Sequence, residues 1–146
     1  MKHIGFILLV GCTLLLQGFS SPKYTIELTI TNIRSATGEI GIGIYKDDDG
    51  FQKEQSVLNK KFVKALSQNS KLTVTFTLEA GTYGIALLDD ENKNTKMDYN
   101  FIGIPKEGFG FSNYYHTGLT KPHYDKFKFE VKPNTTTKVE IKVRYI

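Results

Sequence analysis

The sequence predicts an all-β fold, an antiparallel β-sandwich of about seven strands with one long ordered loop. Three observations predict it. Apolar and polar residues alternate with period two in six separate stretches. Short clusters of Gly, Asp, Asn and Pro separate those stretches. No strand-then-helix alternation occurs, so a doubly wound nucleotide-binding sheet is not expected. The length of 146 residues suits one domain. With 40% hydrophobic and 23% charged residues, the chain has the composition of a packed globular protein rather than a disordered one.

The N-terminus reads as an address. Lys2 and His3 precede an apolar run from Ile4 to Leu16, followed by Gln17, Gly18, Phe19, Ser20 and Ser21. A basic start, an apolar middle and a small-residue exit make a secretory signal, with cleavage expected after Ser20. The run is too short to span a bilayer, so no transmembrane anchor is expected. Leu9-Val10-Gly11-Cys12 is similar to a bacterial lipobox, which would give a lipid anchor at Cys12. The apolar run continues through Leu14, Leu15 and Leu16, which favours a cysteine inside the leader. Residues 1–20 are therefore read as a signal peptide and residues 21–146 as one sandwich domain, secreted or in the periplasm or cell envelope.

The strands follow in order. Tyr24, Ile26, Leu28 and Ile30 alternate with Thr25, Glu27, Thr29 and Thr31. Ile40, Ile42 and Ile44 alternate with Gly41 and Gly43. The Asp47-Asp48-Asp49-Gly50 cluster reads as a solvated turn, and Gln52 to Leu58 as a short helix after it. Lys61 to Leu66 makes a seventh strand. Leu72, Val74, Phe76 and Leu78 alternate with threonines, and Tyr83, Ile85 and Leu87 follow the Ala80-Gly81 turn. Phe127, Phe129 and Val131, then Val139, Ile141, Val143 and Tyr145, complete the set. In each, period two buries one face and wets the other.

From Asp89 to Tyr124 the alternation stops. A segment this long without periodicity is more than a connector, and such loops commonly carry function. Read from Asp90, the side-chain oxygens of Asp90, Asn92, Asn94 and Asp98 fall at positions 1, 3, 5 and 9 of a Ca²⁺ loop. Thr95 stands where such a loop needs Gly, and Phe101 where it needs a bidentate Glu. A polar turn stabilised by Asx geometry is the competing reading. Beyond it, glycines alternate with aromatics. Glu107, Phe109, Phe111, Asn113, Tyr114 and Tyr115 are candidate contacts for a ligand or partner, with the rings stacking on a sugar or other flat molecule. The alternative is an Ω-like loop whose rings plug a small core of its own.

Other chemistry is thinly signposted. His116 and His123 stand seven apart, near Tyr124 and Asp125, which is not zinc spacing. Ser112 lacks the Gly-x-Ser-x-Gly elbow of a hydrolase. Asp90, Glu91, Glu107 or His116 would have to serve any acid–base chemistry. The formal net charge is +4, but Lys and Arg are spread without a basic stripe, so nucleic acid is not an expected partner.

Three phrases point to a family: Leu78-Glu79-Ala80-Gly81-Thr82-Tyr83, Asp89-Asp90-Glu91-Asn92-Lys93-Asn94, and Gly103-Ile104-Pro105-Lys106-Glu107-Gly108-Phe109-Gly110-Phe111-Ser112-Asn113. Together they resemble the DUF2141 family of uncharacterised secreted bacterial proteins, over roughly Tyr24 to Tyr145. The family loop commonly opens His-Asp-Glu-Asn and continues Asn-Gly, where this chain has Asp89 and Thr95. The resemblance implies a small secreted sandwich, prealbumin-like, and no established activity; a shared fold does not supply a function. The expectation is a non-enzymatic domain that binds an unknown extracytoplasmic ligand or protein through the segment between Asp89 and Tyr115, with Ca²⁺ as the one candidate cofactor. A hydrolase using the acids of the same loop and a purely structural domain are the alternatives.

Overall fold

The computed structural model describes residues 20–64 and 70–146. The expected signal peptide, Cys12 and the end of the strand expected at Lys61 to Leu66 lie outside the described residues. Eight strands are described: β1 (Lys23–Thr31), β2 (Glu39–Tyr45), β3 (Leu58–Val63), β4 (Leu72–Glu79), β5 (Gly81–Asp90), β6 (Gly108–Phe111), β7 (Lys128–Val131) and β8 (Thr137–Lys142). They form an all-β sandwich of two sheets. One has the order β4-β1-β8; the other has the order β3-β2-β5-β6, with β7 also paired to β5.

Alternation places the core. Ile26, Leu28 and Ile30 of β1, Ile40, Ile42 and Ile44 of β2, and Ile85 and Leu87 of β5 are all buried between the sheets. Leu72, Phe76, Leu78, Val139 and Ile141 complete the facing layer. Such side chains contribute about 1.5–3 kcal/mol each when fully buried. The chain switches sheets at Ala80-Gly81, where Gly81 takes φ +152°, a region open almost only to glycine.

Four expectations are corrected. The sheets are not wholly antiparallel, because β1 and β8 run parallel, with Leu28 opposite Val139. Period two encodes burial but not direction, and a parallel neighbour is reached by a crossover, here from β7 in the other sheet. The segment Gly108–Phe111, expected to be loop, is a strand pairing Ala86 with Phe111 and Leu88 with Phe109. The helix is Asp48–Gln52 rather than 52–58, because Asp47 caps it by accepting from the Gly50 amide at 2.7 Å. Phe127 lies outside β7 and packs with Tyr45, Phe51, Phe111 and Tyr124 in a separate aromatic cluster.

That cluster covers one end of the second sheet's outer face. A Cβ on Gly84 would lie 2.5 Å from the Phe127 ring, so the ring rests directly on the strand. At the C-terminus, the Val143 amide donates to the Thr31 carbonyl at 2.9 Å, then Arg144 and Phe109 exchange two backbone bonds. The first bond extends the pairing of β1 with β8, and the Phe109–Arg144 bonds join the two sheets just past the end of β8. Among the described residues, no helix is long and apolar enough to cross a membrane.

Candidate functional site

The loop after β5 is held by its own polar groups. Asp90 is buried, and its carboxylate accepts from the Asn94 amide at 3.1 Å and the Thr95 amide at 2.8 Å. Lys93 and Thr95 take positive φ values of 60° and 68°, which close the turn. Asn92 and Asn94 donate their side-chain amides to Asp98 Oδ2 at 2.6 and 3.0 Å. Buried Glu107 accepts from the Glu91 amide at 3.0 Å and the Asp98 amide at 3.3 Å. Carboxylates that accept backbone amides replace the hydrogen bonds the turn would otherwise lack. Asp90, Asn92, Asn94 and Asp98 are thus brought together, and of their side-chain oxygens all but Asp98 Oδ1 already accept from amides. Among the described residues, no group of three or more His, Cys, Asp or Glu is arranged to hold a metal ion.

A charged network lies beneath this loop. Lys64 and Asp89 are both fully buried and pair at 2.5 Å. Tyr145 donates its hydroxyl to the other oxygen of Asp89 and accepts from the Arg34 amide at 3.0 Å. Burial, and then the bond to Asp89, push the Tyr145 hydroxyl pKa up. The Arg34 guanidinium bonds both oxygens of Glu91, at 2.9 and 2.6 Å, and holds that carboxyl below its ordinary range. Asp89, at the position where the family loop commonly has His, is therefore a structural anchor.

The concave feature lies beside the loop, on the outer face of the second sheet. Along β2 the outward positions are Gly41 and Gly43, and they pair with Leu88 and Ala86 of β5. Lys61 and Asn59 of β3 flank them on one side; Phe109 and Phe111 of β6 flank on the other. Gly41, Gly43 and Ala86 are short and the residues at the edges long, which makes a trough; the Tyr45 ring lies over Gly43, its hydroxyl 2.8 Å from where a Cβ would stand. The trough encloses about 710 Å³ and is walled further by Thr95, Met97, Tyr99 and Pro105 of the loop. A Cβ added at Gly41 would meet nothing nearer than the Leu88 carbonyl at 3.9 Å, so the floor there is open. Four of its charges are paired, Lys61 with Glu39 and Lys121 with Glu54, each at 2.6 Å; Lys60 and Asp90 also line it, and among the described residues neither forms an ion pair. His116 also lines the trough; its Nε2 bonds the Thr120 carbonyl at 2.6 Å, and its Nδ1 has no partner among the described residues.

The expected contact residues divide between trough and scaffold. Phe109 and Phe111 line the trough, together with Asp90. Glu107 is a buried brace, and Asn113 exchanges bonds with the Glu140 backbone at 2.7 and 2.9 Å. Tyr114 packs against the aromatic cluster, and Tyr115 lies under Lys142, 5.0 Å from ring centre to Nζ. His123 is exposed, 3.7 Å from Asp48, and is not among the trough residues. The sequence reading missed Gly41, Gly43, Ala86 and Leu88. Their signal was the Ile-Gly-Ile-Gly-Ile run, whose apolar face was read and whose empty face was not.

Fold and site together define a small two-sheet sandwich with a braced loop and a partly aromatic trough beside it. Residues 28–139 match the profile of DUF2141, described as an uncharacterized protein conserved in bacteria, and the chain belongs to that family. No curated protein and no solved structure matches the chain.

Proposed function

We propose that this protein is an exported, non-enzymatic module that binds an uncharged, elongated ligand with a flat apolar face, of the chemical type of a neutral oligosaccharide, in the β2–β5–β6 trough. Export rests on the sequence of residues 1–20. The observation that carries the binding reading is the open floor at Gly41 beside Leu88, Phe109 and Phe111. Gly43 is covered by the Tyr45 ring, so the bare backbone is at Gly41, and an uncovered glycine inside a strand weakens it. The arrangement is explained if something else must lie against the backbone there. Among the side chains that line the trough, Lys60, Lys61 and Lys121 are matched in number by Glu39, Glu54 and Asp90, so neither charge sign dominates. Binding is favoured over hydrolysis because Asp90, Glu91 and Glu107 are all engaged in holding the loop, whereas a general acid or base must reach a substrate proton.

The test uses a substitution that fills the floor without harming the fold. Gly41→Val places a β-branched residue on a strand with open space above it. The melting temperature is expected to hold or rise. In ¹H–¹⁵N spectra, aryl glycosides and neutral oligosaccharides are expected to shift the amides of Gly41, Gly43, Ala86 and Leu88 in the native chain and not in Gly41→Val.

Calcium enters this reading as an auxiliary ion at Asp90, Asn92, Asn94 and Asp98, and it has its own test. If it joins, millimolar Ca²⁺ raises the melting temperature by mass action, and Asp98→Ala abolishes the rise. An unmoved melt leaves the loop held by its own amides and removes calcium from the account.

A further inference from the structure

Away from the trough floor, the loop carries a second feature. Phe101 is 99% exposed, Ile102 is 64% exposed and Tyr99 is 56% exposed. A large apolar side chain standing wholly in water signals a contact surface when it is held there by design. This one is held. Asn100 accepts through its side chain from the amides of Ile102 and Ile104 at 3.0 and 2.9 Å. The Asn100 amide donates to the Ile104 carbonyl at 2.9 Å, and the Gly103 amide donates to the Asn100 carbonyl at 3.0 Å. Tyr99 bridges Pro105, and the Lys106 amide donates to the Asp98 carbonyl at 2.8 Å. Gly103 takes φ +79°, and a Cβ there would meet nothing within 4 Å. The tip is therefore convex, ordered and clear of the body, and binding it imposes little further ordering.

The charges around the tip are sorted by depth. Asp89, Asp90 and Glu107 are buried, Glu91 is bonded to Arg34, and Asp98 takes the amides of Asn92 and Asn94. Lys93, Lys96 and Lys106 are exposed. No carboxylate among the described residues lies within ion-pair distance of these three. Within this loop the carboxylates are thus buried or bonded, and the three ammonium groups are exposed.

We infer that the 99–103 tip docks on an anionic lipid bilayer. Phe101 and Ile102 enter the headgroup–acyl boundary, Tyr99 sits at the interface, and Lys93, Lys96 and Lys106 meet lipid phosphates. A convex apolar point suits a fluid medium that closes around it, whereas a protein partner must bring a matching pocket. Tyrosine at the base favours the interfacial depth. Each lysine near an anionic surface strengthens binding by about fivefold, and burying a Phe side chain by about thirtyfold or more. Tyr99 and Gly103 also border the trough; the inference rests on Phe101 and Ile102, which do not.

The test is co-sedimentation of the chain, recovered after expression of the full sequence in a bacterial host, with phosphatidylcholine vesicles containing one part in four phosphatidylglycerol. Binding is expected at low salt, weaker at high salt and weaker still to phosphatidylcholine alone. Phe101→Ser/Ile102→Ser is expected to lower it at least thirtyfold with an unchanged melting temperature. Both proteins are used only after their mass shows that residues 1–20 have been removed, so that binding through that segment takes no part in the comparison. The chain has no tryptophan, so Phe101→Trp gives a single reporter whose emission is expected to shift to the blue on these vesicles. Equal sedimentation of native chain and double variant, or an unmoved emission spectrum for Phe101→Trp, overturns the inference. Self-association that depends on Phe101, without vesicle binding, also overturns it and identifies a second copy as the occupant.

Discussion

Lys64→Met is expected to destabilise the protein by about 3–5 kcal/mol. That corresponds to a fall in melting temperature of roughly 10–20 °C for a domain of this size. Lys64 and Asp89 are both fully buried and pair at 2.5 Å. Removing the ammonium group leaves the carboxylate out of water with only the Tyr145 hydroxyl for company. Asp89→Leu alone is expected to cost a similar amount by stranding the ammonium. Replacing both at once is expected to recover most of the loss. A buried ion pair and a well-packed apolar pair are often close in free energy, whereas half a pair is not. Thermal melts of the three variants check this. A double variant no more stable than either single would mean that Asp89 acts mainly through Tyr145 rather than Lys64.

Gly110→Val is expected to cost about 3 kcal/mol, at the upper end of overpacking effects. The new Cβ alone would press into Ile141 Cγ2 and lie 3.2 Å from the Lys142 carbonyl. Neither β6 nor β8 can retreat easily, because their backbones are joined through Phe109 and Arg144. Gly108→Ala meets the Tyr145 ring and comes within 2.5 Å of Val143 Cγ1; it is expected to cost less only because a smaller group is added. The inward glycines are the reason Phe109 and Phe111 face outward, so these variants bear on the trough as well as on stability. Urea unfolding measures the difference; a Gly110→Val midpoint equal to that of the native chain would contradict this packing.

Most of the fold was legible because period two is a direct report of burial. Every stretch read as a strand from Tyr24 to Tyr145 falls wholly or mainly on a strand among the described residues. What failed had physical causes. The direction of β8 along β1 depends on a crossover, which alternation does not record. Gly108–Phe111 hid as a loop because its inward positions are glycines, so the apolar half of its pattern is supplied by Ile141, Val143 and Tyr145 of the neighbouring chain segment. Three aspartates in a row read as a solvated turn, yet the first of them is a helix cap.

The site was less legible than the fold. The segment between Asp89 and Tyr115 holds the braced loop and one wall of the trough, but its acids mostly build the loop. Lys64 falls in the stretch read as the seventh strand, with nothing there to mark it out; its pairing with the distant Asp89 makes it an anchor. The trough needs four strands at once. Gly41 and Gly43 acquire meaning only when Lys61, Leu88 and Phe109 are set beside them, and no single stretch of sequence carries that juxtaposition.

The account turns on whether the bare strip of β2 and β5 is where a neutral molecule rests. The most direct measurement is the amide spectrum during titration with aryl glycosides to tens of millimolar, run in parallel on the native chain and Gly41→Val. The account predicts shifts centred on Gly41, Gly43, Ala86 and Leu88 that the substitution removes while the melt stays in place. Shifts that map elsewhere, or that survive a filled floor, would contradict it.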